Sequence, residues 1–260
     1  MAEHSASRKK ERIAKFLARA GVASRRACED LIAAGRVRVN GVILAHPATL
    51  VDATDAIAVD GVPLAATPQA RIWRYHKPAG LVTTAHDPQG RPTVFDALRE
   101  SLPRVISVGR LDINSEGLLL VTNDGELARY LEHPAQGLAR TYRVRAHGVI
   151  DNSTITRLQR GLTIDGVRYR SITATIDSRQ GTNCWLTMVL HEGKNREIKR
   201  LLQHLGLHVT RLIRTGYGPF PIGKLARGEI AEVPSRTMRD LLPGYFAGTA
   251  TLRQTRVKDP

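Results

Sequence analysis

Asp112 has the strongest claim to chemistry in this chain of 260 residues. It lies in VISVGRLDINSEGLLLVT (105–122), where a strand-like run and an Arg-Leu pair lead into it. A turn follows with two hydrogen-bonding side chains, Asn114 and Ser115, and then Gly117 permits close backbone approach before a buried strand over 118–121. A carboxylate wedged between two apolar strands is desolvated at a cost unless a cation pairs with it. Kept ionised, it can act as a nucleophile or a base. On its own the pattern also fits a structural aspartate that closes a loop.

A cation is offered by HEGKNREIKRLLQHL (191–205). Ile198, Leu201, Leu202 and Leu205 make an apolar helical stripe that stops at Gly206, and Arg196, Lys199, Arg200 and Gln203 fall on the other side. A third element is the alternating strand YRVRA (142–146), which puts Tyr142, Val144 and Ala146 on one face. The plainer readings are a solvated basic face and a core tyrosine.

Common catalytic and nucleotide-binding signatures are absent: there is no Walker A loop, GxGxxG, HExxH or GxSxG. Cys28 and Cys184 are too far apart for a paired-cysteine zinc site, and Cys28 reads as core filler. His204 and His208 are four apart, but Gly206 between them should end the helix that would align them. No metal site is expected. Glu116 is the nearest other acid to Asp112, but beside the turn it need not face it. A two-carboxylate glycoside hydrolase is therefore a weaker reading.

The elements that must position these residues begin near Glu11. Ile13, Phe16, Leu17 and Ala20 predict a helix that stops at Gly21, and Ser24 predicts the N-cap of a second helix ending at Gly35, with Cys28, Leu31 and Ile32 on its apolar face. A strand over 36–39 meets the turn Asn40-Gly41; a second strand over 54–59 meets Asp60-Gly61. Residues 62–70 read as a linker, and 71–245 as a second domain of short strands, loops and a few helices. Residues 1–10 and the basic tail 246–260 read as flexible.

The charge is +15, from 39 basic and 24 acidic side chains, which makes a polyanion the default partner. Residues 1–40 hold 10 bases against 4 acids, and residues 191–260 hold 13 against 6. Apolar runs are far shorter than the ~20 residues of a membrane span, and no secretory h-region is visible. With two distant cysteines, a cytoplasmic location is the expectation.

Two resemblances gather these observations. RRACEDLI (25–32) with GRVRVNG (35–41) resembles an S4 RNA-binding domain over 11–61, with Arg25, Arg26, Arg36 and Arg38 as its basic face. GRLDxxSxGLLL (109–120), YHKPAGLVTT (75–84), RTYRV (140–144) and EGKNREIKR (192–200) resemble, in order and spacing, the motifs of pseudouridine synthases of the RsuA/RluB type. The fold implied is α+β: a helix-helix-sheet module, then a mixed, largely antiparallel sheet.

That resemblance implies a catalytic Asp112, a Tyr142 that stacks on the target base, and a Lys199 that pairs with the aspartate. It implies that Arg110 helps to hold the RNA open, with Asn195, Arg196 and Arg200 as further RNA contacts. Ser115 stands where threonine is usual, and Lys199 where arginine is common, which exchanges a bidentate fork for a point charge. The reaction implied turns a uridine of RNA into its C5-glycoside with no cofactor and no metal; the route taken by Asp112, nucleophile at C1′ or base on the sugar, stays open. DPQGRPTVFD (87–96) looks more like the members acting on 23S ribosomal RNA than those acting on 16S. The partner expected is ribosomal RNA or a ribosome assembly intermediate, met by a monomer with no membrane association. A catalytically silent RNA-binding or assembly factor is the alternative from another class.

Overall fold

The computed structural model describes residues 10–52, 54–64 and 68–247. The expectations for residues 1–9, 65–67 and 248–260 lie outside these. The described residues divide into two compact units, the first built mainly on those between 10 and 70 with 123–125 and 242–247, the second on 71–122 and 126–241.

In the first unit, Ile13–Arg19 and Arg25–Ala33 are helices. Gly21 takes a positive φ of 89° between them, and the Ser24 hydroxyl accepts from the Ala27 amide at 3.1 Å, as expected of a stop and a cap. Glu11–Arg12, read as the start of the helix, is instead a short strand paired with Leu50–Val51. Val37–Val39, Val42–Ile43, Ile57–Val59 and Val62–Pro63 form a small antiparallel sheet. Both hairpins turn on residue pairs with positive φ, Asn40-Gly41 and Asp60-Gly61. Asp52 and Asp55 are tied together by hydrogen bonds and Thr54 donates to Asp52, so the second strand begins at Ile57 and not at 54. The Asp60-Gly61 hairpin returns Val62–Pro63 to the sheet, which moves the start of the linker past 62. Cys28 is fully buried among Ile13, Leu17, Ile32 and Val37.

The second unit is a mixed sheet. Its strands run in the order Thr173–Gln180, Asn183–Leu190, Arg140–His147, His208–Tyr217, Glu116–Thr122, Ile72–Lys77 and Ile230–Glu232. Ile106–Val108 also pairs with Glu116–Thr122, and Phe220–Pro221 with His208–Tyr217. The parallel contact, among otherwise antiparallel ladders, is between His208–Tyr217 and Glu116–Thr122. The sheet packs one apolar face on Glu197–His204 and Asn152–Arg160, through Val144, Ala146, Leu186, Leu158, Ile198 and Leu202. A second cluster joins Trp73, Tyr75, Leu119 and Val121 to the helix Val94–Leu98, whose N-terminus carries a capping box of Thr93 and Asp96.

Candidate active site

Asp112 sits in the loop between Ile106–Val108 and Glu116–Thr122. The backbone turns there through a Ser115 amide donating to the Asp112 carbonyl at 2.9 Å. Lys77 locks that turn from below. Trp73, Tyr75 and Lys77 alternate onto the buried face of their strand, and the Lys77 ammonium donates to the carbonyls of Pro78, Asp112, Ile113 and Ser115 at 2.9–3.3 Å. Burial lowers Lys77 to about 8, against attraction from Asp112 and Glu116, so it remains an ammonium at neutral pH.

Two cations meet the carboxylate. Lys199 Nζ lies 3.4 Å and Arg196 Nη1 3.6 Å from Asp112 Oδ2. Oδ1 has no hydrogen-bond donor among the described residues. The expected Lys199–Asp112 pair thus forms, and Arg196, read from sequence only as an RNA contact, joins it. The helix starts at Glu197, one residue after Arg196, which takes a left-handed φ of 51°. That turn carries the guanidinium back toward Asp112.

Tyr142 is half-buried and faces Asp112 across a cavity of about 280 Å³. Arg110, Arg140, Glu197, Leu212 and Arg214 also line it. The ladder between Arg140–His147 and His208–Tyr217 bulges at this point: Thr141 pairs with Gly216 but Tyr142 with Arg214. Bulges of this kind re-aim a side chain. Arg140 is held by the Tyr217 hydroxyl at 3.1 Å and lies over its ring. Glu197 is buried at the base of the helix and accepts from the Lys194 amide at 3.0 Å. Burial, with a hydrogen bond to Glu192, pushes it up to about 7.

Apart from Arg110, the remaining candidates do not line this cavity. Asn195 and Arg200 are exposed, and Arg110 is exposed at its mouth. Arg25, Arg26 and Arg38 are exposed on the first unit. Arg36 is exposed too, but its guanidinium forks onto Asp60 at 2.6 and 2.8 Å. Glu116 does not serve as a second catalytic acid. It is buried, and Arg211 and Arg227 bind it at 2.8 and 3.1 Å, the Arg211 hydrogen bond holding it below the usual range. His204 ends the helix and His208 opens the next strand. Lys77 and Arg214 were not singled out from sequence. Strict alternation, which sends both to a buried face, was the available signal.

A carboxylate paired with cations beside an aromatic ring on a mixed sheet, in a chain that begins with a basic module, fits an enzyme that modifies a base in RNA. The family model for RNA pseudouridylate synthase matches residues 71–204, and that for the S4 domain matches 11–57. An uncharacterized RNA pseudouridine synthase of Rickettsia conorii is 46% identical over 229 residues, 88% of this chain and 99% of its own. Ribosomal large subunit pseudouridine synthase B of Salmonella typhimurium is 43% identical over 234 residues, 86% of this chain and 79% of its own. A crystal structure of a pseudouridylate synthase shares the fold, with a TM-score of 0.63 and 22% identity over 89% of this chain and 99% of that one. The chain belongs to the RNA pseudouridylate synthase family and is an RNA-binding pseudouridine synthase with an N-terminal S4 domain.

Proposed function

We propose that this enzyme isomerises a uridine of large-subunit (23S) ribosomal RNA, free or in an assembly intermediate, as a cytoplasmic monomer with no membrane association. The observation that carries the reading is Asp112, which shares one cavity with Tyr142 and is ion-paired with Lys199. The large-subunit assignment is supported by 43% identity to a protein named for that subunit, and by the DPQGRPTVFD segment.

Uridine and pseudouridine are isomers, so the reaction balances with no donor group or redox partner. The N1–C1′ bond breaks, the uracil turns, C5 bonds to C1′, C5 loses a proton and N1 gains one. Lys199 and Arg196 hold Asp112 by Oδ2 and leave Oδ1 for C1′ or a sugar proton. Tyr142 offers the uracil an aromatic face. Flipping the nucleotide out of its stack costs a few kcal/mol. Arg110 at the mouth, with Asn195, Arg196 and Arg200, offsets that cost by gripping the backbone. Arg25, Arg26 and Arg38 dock the RNA on the S4 domain; Arg36 adds less while Asp60 holds it.

The test is a map of pseudouridines in ribosomal RNA from cells with and without the protein, repeated on purified RNA. One 23S position should disappear and be restored by the enzyme. Loss of a 16S position instead would overturn the subunit assignment.

A further inference from the structure

Arg214 is fixed by two neighbouring strands at once. It stands opposite Tyr142 in the antiparallel pair and opposite Gly117 in the parallel pair. Opposed residues send their side chains to the same face of a sheet. Arg214 therefore lies beside the Tyr142 ring, and both line the cavity that holds Asp112. Gly117 adds no side chain to the row.

The Arg214 side chain is only partly committed. Nε donates to the Leu118 carbonyl at 2.7 Å, and the guanidinium carbon lies 5.2 Å from the Tyr217 ring centre. Arg214 is 2% exposed, yet Nη2 has no hydrogen-bond partner. A buried guanidinium amino group left unbonded is costly, and an arriving oxygen atom would remove that cost. Arg110 and Arg196 also line the cavity but are exposed to solvent, where backbone phosphates can reach them, whereas Arg214 is buried. The group that turns inward beside an aromatic ring is the base.

We propose that Arg214 is a catalytic residue, donating through Nη2 to a carbonyl oxygen of the target uracil and stabilising the charge that the ring takes up as it leaves C1′. This rests on the reading that Asp112 opens the N1–C1′ bond of a uridine stacked on Tyr142. When that bond breaks, its electron pair passes to the uracil and spreads onto the carbonyl oxygens. When C5 bonds to C1′ and gives up its proton, N1 is protonated and the charge is gone. A preorganised buried donor acts most strongly on charge that exists only between these two events.

The experiment compares single-turnover breakage of the target N1–C1′ bond in two RNAs, one with uridine and one with 5-fluorouridine, read as loss of the starting nucleoside because C5 of the fluorinated base has no proton to give up. Fluorine makes the uracil a better leaving anion and lessens the need for the cation. Arg214→Gln should slow loss of uridine by about 10²–10³-fold with RNA affinity unchanged, and slow loss of 5-fluorouridine distinctly less. Equal slowing on both RNAs, or none, overturns the proposal. Thermal melting monitors the fold; if Arg214→Gln does not fold, Arg214→Lys is held to the same ordering of the two defects and the same overturning result. Wild-type enzyme is the control: if it forms no pseudouridine on the uridine RNA, the function reading falls. If it does while Arg214 variants treat both RNAs alike, only the role of Arg214 falls.

Discussion

Gly117 and Arg214 pair so closely that a Cβ on residue 117 would stand 2.2 Å from the Arg214 carbonyl oxygen. Gly117 also has φ +104°, a conformation L side chains rarely adopt. This contact joins the strand after Asp112 to the strand beside Tyr142. Gly117→Ala combines backbone strain with an overpacked core, so it should destabilise the enzyme by at least about 2 kcal/mol. Denaturant melts check this; an unchanged midpoint would contradict the packing described.

Asp112→Asn removes the ionised carboxylate while keeping its shape. Pseudouridine formation should collapse and RNA affinity persist, read by single-turnover assays beside binding titrations. The size of the loss separates the two routes. Removing a general base costs about 10²–10⁴-fold, and removing a nucleophile can cost about 10⁶-fold. Near-normal activity would exclude Asp112 from the chemistry.

Lys199 and Arg196 address the same oxygen of Asp112, so each partly covers for the other. Lys199→Met and Arg196→Met should each slow isomerisation, and the double variant should lose more than the two separate losses combined. Coupling of about 0.5–3 kcal/mol is the scale for contacting residues. A double-mutant cycle on the isomerisation rate measures it, and simple additivity would mean that the two cations act independently and do not cover for each other.

Glu197 should give the fold a pH dependence. Its carboxyl titrates at 4.5 when unperturbed and is raised by burial to about 7 in the fold. Between those values the folded protein holds a proton that the unfolded chain has released. Its stabilising effect is complete below the lower value and fades as pH rises through the upper one. Glu197→Gln can still accept from Lys194 and can donate to Glu192, without a titrating proton. Its melting temperature should gain on wild type from about pH 5 to about pH 8. Parallel curves would rule out a buried titrating Glu197.

RNA docking through Arg25 and Arg26 should show in salt dependence. Each phosphate contact contributes about 0.7–0.9 to the slope of log affinity against log salt. Replacing both with Gln should lower that slope by about 1.5. Arg36→Gln should lower it less, because Asp60 already binds that guanidinium. The reverse ranking would place the RNA on the other side of the module.

Much of the molecule was legible in the sequence, because its signals are local. Ser24 caps its helix with an amide three residues on, and Asn40-Gly41 turns its hairpin with positive φ at both residues. Alternation put Tyr142, Val144 and Ala146 on one face, where they lie. The four motifs carried Asp112, Tyr142 and Lys199 to a single family. Some local readings overshot. The first helix was read from about Glu11, yet Glu11–Arg12 pairs as a strand, because Leu50–Val51 supplies a ladder that the spacing of Ile13, Phe16, Leu17 and Ala20 cannot see.

The tertiary structure decided which charges are spent and on what. Sequence placed Arg36 among the RNA contacts, and a partner 24 residues away took its fork. Arg196 was one of several basic residues until a single left-handed residue before the helix brought it to Asp112. Lys77 looked like any lysine before proline, and its four carbonyl partners come mostly from a loop far along the chain. Arg214 lies 96 residues from the carbonyl it binds, and only a bulge in one ladder sets it opposite Tyr142. Caps, turns and alternation depend on neighbours within a few positions, so the sequence states them directly. Pairings between strands depend on register, which is fixed only when the whole sheet closes over its core.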